Sequence, residues 1–187
     1  MNVIKTELDG VLIIEPSIYG DSRGYFSESF NALEFAEKTG LHITFVQDNE
    51  SLSRYGVLRG LHFQCPPYAQ SKLVRCVMGR VMDYAVDIRK GSPTYGKWVG
   101  CELSAENHRQ MFVPKGFAHG FCVLSEKALF QYKCDEFYHP EAEAAIVWND
   151  PTVGIVWPIP EEDIVLSEKD KNHPELKAFL SPFEYRK

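Results

Sequence analysis

The chain has 187 residues, a length typical of one domain that can bury a substantial core. Its hydrophobic fraction of 44% and its aromatic fraction of 13% exclude a disordered chain. The formal net charge of −6, without any run of basic residues, argues against a protein that binds nucleic acid through the phosphate backbone. A few local arginines could still hold a small anionic ligand.

The cysteines and the N-terminal segment bear on the compartment. The five cysteines are scattered and form no Cys-x-x-Cys pair, so they predict reduced thiols and neither a disulfide framework nor a zinc knuckle. The opening sequence MNVIKTELDGVLIIEP contains an apolar run that is too short for a signal peptide core or a membrane span. We therefore expect a cytoplasmic protein that does not enter a membrane.

Short strands dominate the predicted secondary structure, because period-two alternation and β-branched or aromatic residues recur along the chain. A first strand is predicted before the only clear helix, Asn31–Lys38, in which Asn31 is the N-cap, Glu34 completes a capping box and Gly40 marks the exit. The predicted strands are Val11–Glu15, Tyr25–Phe30, Ile43–Asn49, Lys72–Val77, Arg80–Arg89, Trp98–Leu103, Arg109–Val113, Gly120–Leu124, Ala128–Asp135 and Ala145–Trp148.

Two local features refine this pattern. A turn at Met78-Gly79 predicts that Lys72–Val77 and Arg80–Arg89 form a hairpin, and a short helix is expected near Ser167–Asn172. No repeat, low-complexity tract or linker divides the chain. Many short strands without long helices predict one all-β domain, residues 1–187, built as a sandwich, jelly roll or barrel with a few short helices.

Two segments carry the strongest motifs. The sequence VPKGFAHGF, with His119, resembles the second motif of the cupin superfamily, and GVLRGLHFQ, with Gly56 and His62, resembles the first, Gly-x5-His-x-His. Gln64 stands where the second histidine is expected, and no glutamate follows; Lys72 lies downstream instead. Because metal-binding cupins use imidazoles and a carboxylate, this departure predicts a barrel without a metal ion.

Organic acid–base chemistry is the remaining use of such a barrel. Histidine is the side chain best suited to proton transfer near neutral pH, so His62 is a candidate base, and Asp170 is a candidate for orienting its ring. Tyr132 is a candidate acid on the opposite side, and Lys72 could stabilise an enolate oxygen. Each residue also has a purely structural interpretation, since a strand tyrosine is usually core and a lysine at a strand start is usually solvated.

Longer segments resemble the dTDP-4-dehydrorhamnose 3,5-epimerase family. They run in the expected order from about Val11 to about Asp170, and include GDSRGYFSESF, FVQDNES, VLRGLHFQ, LSAENHRQMFVPKGFAHGF, WNDPTVGIVWP and LSEKD. The resemblance implies a cupin-type jelly roll, usually a homodimer, that acts without a metal or a dissociable cofactor. It implies conversion of dTDP-4-dehydro-6-deoxy-D-glucose to dTDP-4-dehydro-L-rhamnose, on the route to dTDP-L-rhamnose.

The resemblance also assigns roles to residues. It implies that His62 is the base, supported by Asp170, that Tyr132 is the acid, and that Lys72 lies near the C4 oxygen. The arginines that would pair with the diphosphate are Arg23 and Arg59. Further substrate contacts are implied for Glu28, Gln47, Asp48, Asn49, His119, Tyr138, Glu143 and Lys169.

Three alternatives remain open at the level of the sequence. An epimerase that inverts only C3 or only C5 would share most of these residues. A non-catalytic module that binds a nucleotide sugar would lack the acid–base pair, which is present here. A metal-dependent cupin oxygenase would contain stoichiometric iron despite Gln64.

Overall fold

Two antiparallel sheets face each other and enclose the main core. The computed structural model describes residues 1–186. Its strands are β1 (Asn2–Lys5), β2 (Leu12–Glu15), β3 (Tyr19–Asp21), β4 (Gly24–Phe26), β5 (Gln47–Arg54), β6 (Leu58–Gln64), β7 (Lys72–Met78), β8 (Arg80–Asp87), β9 (Trp98–Ser104), β10 (Gln110–Val113), β11 (Phe117–Val123), β12 (Lys127–Cys134) and β13 (Glu143–Ala145).

The sheet order explains how distant segments meet. One sheet has the order β1-β2-β10-β7-β12-β5, the other has β13-β6-β11-β8-β9, and β3 and β4 form a separate ribbon. Side chains from both sheets, such as Val74, Phe130, Ala85 and Phe121, pack into one buried cluster between them. This arrangement confirms the predicted all-β jelly roll.

The outer faces of the two sheets are covered by different segments. Phe35 of helix α1 (Ala32–Thr39) packs with Phe112 on the six-stranded sheet. Residues of the C-terminal part, including Trp157, Leu176 and Phe183, pack on the five-stranded sheet. Within residues 1–186, no helix is long and apolar enough to cross a membrane.

The helix prediction is confirmed, with one difference at its start. The Asn31 side chain accepts hydrogen bonds from the backbone N–H groups of Leu33 and Glu34, and Gly40 ends the helix with φ 74°. The Glu34 carboxylate, however, accepts a hydrogen bond from the Met1 ammonium. The N-cap is therefore as predicted, while the Glu34 side chain binds the N-terminal ammonium and does not complete a capping box.

The predicted hairpin between Lys72–Val77 and Arg80–Arg89 is wrong. β7 pairs with β10 and β12, whereas β8 pairs with β9 and β11 in the other sheet. Gly79 has φ 73°, and a Cβ added there would lie 2.0 Å from the Lys127 carbonyl oxygen. Glycine is therefore required where the chain crosses from one sheet to the other.

Several predicted boundaries also differ from the structure. The strand expected over Tyr25–Phe30 ends at Phe26, and the strand expected from Ile43 begins at Gln47. The last predicted strand, Ala145–Trp148, is instead Glu143–Ala145. The expected C-terminal helix near Ser167–Asn172 is a single 3-10 turn, Asp170–Asn172. The differences among the strands lie at the ends of elements, where local patterns are weakest.

Candidate active site

A cavity of about 340 Å³ lies between the two sheets. β5, β7 and β12 of the six-stranded sheet form one wall, and β6 and β13 of the other sheet form the facing wall. The cavity is lined by Gln47, Asn49, His62, Phe63, Gln64, Gln70, Lys72, Tyr132, Tyr138 and Glu143. Seven of these ten positions (Gln47, Asn49, His62, Lys72, Tyr132, Tyr138 and Glu143) are site residues predicted from the sequence.

His62 and Asp170 form a hydrogen-bonded pair on the five-stranded side. His62 Nε2 lies 2.5 Å from Asp170 Oδ1, and the Ser167 hydroxyl donates to Asp170 Oδ2 over 2.7 Å. Burial acts to raise the pKa of Asp170, but the hydrogen bonds from His62 and Ser167 outweigh it and lower that pKa. Asp170 is thus held ionised, and its contact with Nε2 fixes the orientation of the His62 ring.

Tyr132 and Lys72 face the cavity from the six-stranded sheet. Lys72 pairs in register with Cys134 and Val74 pairs with Tyr132, so the two site residues are diagonal neighbours on one face. The Lys72 ammonium lies 5.9 Å from the centre of the Tyr132 ring. Desolvation raises the pKa of Tyr132, so its phenol keeps its proton at neutral pH.

Lys72 is half-buried, and its ammonium group interacts with nearby ionisable side chains. Desolvation lowers the pKa of Lys72, and the nearby Cys134, Asp83 and Glu143 act in the opposite direction. Burial raises the pKa of Asp83, opposed by His119 and Lys72. His119 Nε2 lies 2.9 and 3.0 Å from the two Asp83 carboxylate oxygens. His119, predicted to contact the sugar, is therefore buried against Asp83 and does not line the cavity.

Gln64 has a structural role in this chain. Its amide nitrogen donates to the carbonyl oxygens of Tyr68 (2.7 Å) and Phe137 (3.1 Å), and its amide oxygen accepts from the His139 N–H (2.7 Å). These bonds fix the segment that carries Tyr138 at the cavity. The residue in the position of a cupin ligand thus anchors the backbone.

A second cavity, of about 380 Å³, adjoins the first at His62. Two cationic side chains, Arg59 and Lys169, line it together with Asp170. Lys169 forms an ion pair with Glu143, which also accepts a hydrogen bond from the Tyr138 hydroxyl over 2.7 Å. Burial acts to raise the pKa of Glu143, but the bonds from Lys169 and Tyr138 outweigh it and lower that pKa. This region offers positive charge beside the candidate base.

Three predicted binding residues lie elsewhere. Asp48 alternates with Gln47 and Asn49 along β5, so it points to the other face of the sheet and pairs with Lys133 at 2.9 Å. Arg23 lies in the turn between β3 and β4, is exposed and binds Asp21. Glu28, also exposed, accepts a hydrogen bond from Asn31. Within one chain the structure does not bring these three to the His62 cavity.

The sequence analysis missed two residues that contact Asp170. Ser167 donates to its carboxylate, and His173 Nε2 lies 3.6 Å from it. Both lie three residues from Asp170 in LSEKDKNHP. That spacing is the signal that could have identified them. Ser167 Oγ accepts the Asp170 N–H over 3.1 Å just before the 3-10 turn, and His173 directly follows the last residue of that turn.

Comparison with known proteins identifies the family of the chain. The family model described as dTDP-4-dehydrorhamnose 3,5-epimerase matches residues 5–178. A dTDP-4-dehydrorhamnose 3,5-epimerase of Shigella flexneri is 59% identical over 172 residues, which cover 92% of this chain and 94% of that protein. These relatives are similar over nearly their whole length.

Solved structures show the same fold. The crystal structure of the 3,5-epimerase of Legionella pneumophila in complex with dTDP-4-keto-L-rhamnose has a TM-score of 0.95 and 51% identity, covering 100% of this chain and 99% of that one. A 3'-monoepimerase from Streptomyces bikiniensis in complex with dTDP-quinovose has a TM-score of 0.87 and 34% identity, covering 92% of this chain and 86% of that one. The chain belongs to the dTDP-4-dehydrorhamnose 3,5-epimerase family.

Proposed function

We propose that this protein inverts C3 and C5 of dTDP-4-dehydro-6-deoxy-D-glucose and gives dTDP-4-dehydro-L-rhamnose, a step toward dTDP-L-rhamnose. The observation that carries the proposal is that His62, hydrogen-bonded to Asp170, and Tyr132 lie on opposite walls of one cavity. Inversion requires this arrangement, because a proton must leave one face of the ring and another must arrive at the opposite face.

The chemistry follows from the C4 ketone, which acidifies the protons on C3 and C5. His62 takes one of these protons, the C–H electron pair forms the C=C bond of the enolate, and the π pair of the carbonyl moves onto the C4 oxygen. Lys72 stabilises the resulting enolate oxygen electrostatically. Tyr132 then protonates the same carbon from the other face, and the carbonyl re-forms. Solvent then removes the proton from His62 and returns one to Tyr132, which restores both groups before the second carbon reacts. Each inversion is a proton exchange, so the proposed route needs neither a metal nor a cofactor.

Substrate binding uses the two connected cavities. We assign the diphosphate to Arg59 and Lys169, since a guanidinium can bind phosphate oxygens in a bidentate fashion. Gln47, Asn49 and Tyr138 border the main cavity and are assigned to the nucleotide or the sugar. The pair formed by Glu143 and Lys169 links the two cavities and adds a polar contact.

A homodimer is proposed because part of the predicted site lies on an exposed ribbon. Arg23 belongs to the β3–β4 ribbon, where Tyr19, Tyr25 and Phe26 are 65%, 63% and 65% exposed. Such an apolar surface favours a protein partner, and a second copy could receive Arg23 and Glu28 near its diphosphate. Equilibrium sedimentation should give twice the 21.4 kDa chain mass; a monomer at assay concentrations would contradict this.

The compartment and the number of inverted centres are also proposals. All five cysteines are free, which supports the reducing cytoplasm. The 59% identity to a 3,5-epimerase, against 34% to a 3'-monoepimerase, supports inversion of both centres.

Solvent exchange tests the proposed reaction. In D₂O, the wild-type protein should incorporate deuterium at both C3 and C5 of dTDP-4-dehydro-6-deoxy-D-glucose and form the L-rhamno product, as followed by NMR. Label at only one carbon would favour a single-centre epimerase. Binding of the dTDP-sugar without any exchange would favour a non-catalytic module.

A further inference from the structure

Two histidines approach the same oxygen of Asp170. His62 Nε2 lies 2.5 Å from Oδ1 and His173 Nε2 lies 3.6 Å from that atom. The other oxygen, Oδ2, accepts the Ser167 hydroxyl at 2.7 Å. Oδ1 is therefore the oxygen on which both imidazoles converge, and Oδ2 is fixed by a separate bond.

The chain path explains this convergence. Asp170 begins the 3-10 turn Asp170–Asn172, and His173 follows three residues later. Residues at i and i+3 of a 3-10 turn lie above one another, so the two side chains share one side. His62 reaches the same point from β6, a strand of the five-stranded sheet.

The His173 nitrogen has no hydrogen-bond partner in the described part of the chain. The His173 side chain is 13% exposed, and its Nε2 atom is buried and makes no hydrogen bond with residues 1–186. Its distance of 3.6 Å to Asp170 Oδ1 is too long for a hydrogen bond. A nearly buried imidazole nitrogen thus points toward a carboxylate oxygen but forms no hydrogen bond with it. Two ligands of one metal ion have this arrangement before the ion binds.

We propose that His62, Asp170 and His173 form a binding site for a divalent transition-metal ion, best matched by Zn²⁺, and that the bound ion inhibits the enzyme. Two imidazole nitrogens and one carboxylate oxygen are a ligand set typical of zinc. The three ligand atoms lie within 4.8 Å of one another. Tetrahedral zinc separates its ligand atoms by about 3.4 Å, so side-chain shifts on the order of 1 Å complete the site.

The surroundings supply the remaining parts of a zinc site. Ser167 holds the second carboxylate oxygen of Asp170, as second-shell groups do around metal ligands. The cavity of about 380 Å³ that contains His62 and Asp170 leaves room for a water molecule in the fourth position. Arg59 and Lys169 line the same cavity, and their positive charges limit the affinity.

Inhibition rests on the proposed function, because the ion binds the ring of the proposed base at Nε2. Nδ1 is then the nitrogen left to take a proton, and a dication on the same ring lowers its basicity. Zn²⁺ takes the place of the proton between His62 Nε2 and Asp170 Oδ1, and that proton passes to water. His62 bound to the ion is no longer oriented by Asp170 for proton removal at C3 or C5. The site thus differs from the cupin positions of Gln64 and His119, which contribute no ligand to it.

Titration of the protein with ZnCl₂ tests the site, with calorimetry and turnover as separate readouts. Wild type should bind one Zn²⁺ per chain and lose turnover as it does so. His173→Gln should bind zinc at least about tenfold more weakly in calorimetry, and the zinc concentration that halves turnover, relative to that variant's own zinc-free turnover, should rise by a similar factor, since loss of even a second-shell partner costs that much. The matched control His42→Gln changes an exposed histidine and should behave as wild type.

The outcomes separate this proposal from the proposed function. Equal zinc affinity in wild type and His173→Gln, or no zinc binding by wild type, would overturn the site. Zinc binding at the site without loss of turnover would overturn the inhibitory role. A protein that binds zinc through His173 but shows no epimerase activity at any zinc concentration would support the site and refute the proposed function.

Discussion

Replacement of His62 by alanine is expected to lower turnover of dTDP-4-dehydro-6-deoxy-D-glucose by about 10²–10⁴-fold, the range that a positioned general base contributes. Deuterium incorporation from D₂O should be lost at both C3 and C5, because the same base serves both carbons in the proposed reaction. NMR of the recovered substrate measures this directly. The affinity for dTDP should be little changed, since the assigned diphosphate contacts are made by Arg59 and Lys169.

The control for this variant is His42→Ala, which removes an exposed imidazole that does not line the main cavity. It should exchange and turn over like wild type. If His62→Ala exchanged either proton at the wild-type rate, His62 would not be the base at that carbon. Loss of dTDP binding in His62→Ala would instead point to a disturbed cavity.

Tyr132→Phe is expected to separate proton removal from inversion. The His62–Asp170 pair remains, so protons at C3 and C5 should still exchange with solvent. Without the phenol on the facing sheet, reprotonation from the opposite face should slow by about 10²–10⁴-fold. The substrate should therefore be recovered with deuterium but with its original configuration, as read from NMR coupling constants.

Tyr55→Phe provides the matched control, because the Tyr55 hydroxyl hydrogen-bonds Asp163 and does not line the main cavity. It should leave both exchange and inversion at wild-type levels. Inversion at the wild-type rate in Tyr132→Phe would show that another group, or water, supplies the proton.

Much of the fold follows from patterns within single strands. In β8, Met82, Tyr84 and Val86 pack together on one side while Asp83 faces His119 on the other, as the alternation predicts. Local patterns do not predict which strands pair with each other. β7 and β8 are joined by a tight turn at Gly79 but belong to different sheets, and no local pattern distinguishes a hairpin from such a crossing.

The candidate site likewise has parts that the sequence predicts and parts that depend on the fold. Motif resemblance selects His62, Lys72 and Tyr132, and the sheet topology places them around one cavity. Period-two alternation alone could have separated Asp48, on the outer face, from Gln47 and Asn49. The contact between His62 and Asp170 spans 108 positions of the chain, so no local pattern predicts it. The resemblance names Asp170, and the structure adds Ser167 and His173.

Arg23 is the residue whose position in the single chain differs most from the role that the resemblance implies for it. The resemblance assigns this residue to the diphosphate, whereas the structure places it on the exposed β3–β4 ribbon, bound to Asp21. A contribution from a second copy reconciles the two, and such a contact cannot be read from one sequence or from one chain. The homodimer is for this reason part of the proposed function.

The central claim is that base and acid lie on opposite faces of the sugar ring. A crystal structure of the protein with dTDP-L-rhamnose, a stable analogue of the product, measures this most directly. The account predicts that C3 and C5 lie between the His62 imidazole on one face and the Tyr132 hydroxyl on the other, with Lys72 near the C4 oxygen. A sugar ring with His62 and Tyr132 on the same face would contradict it.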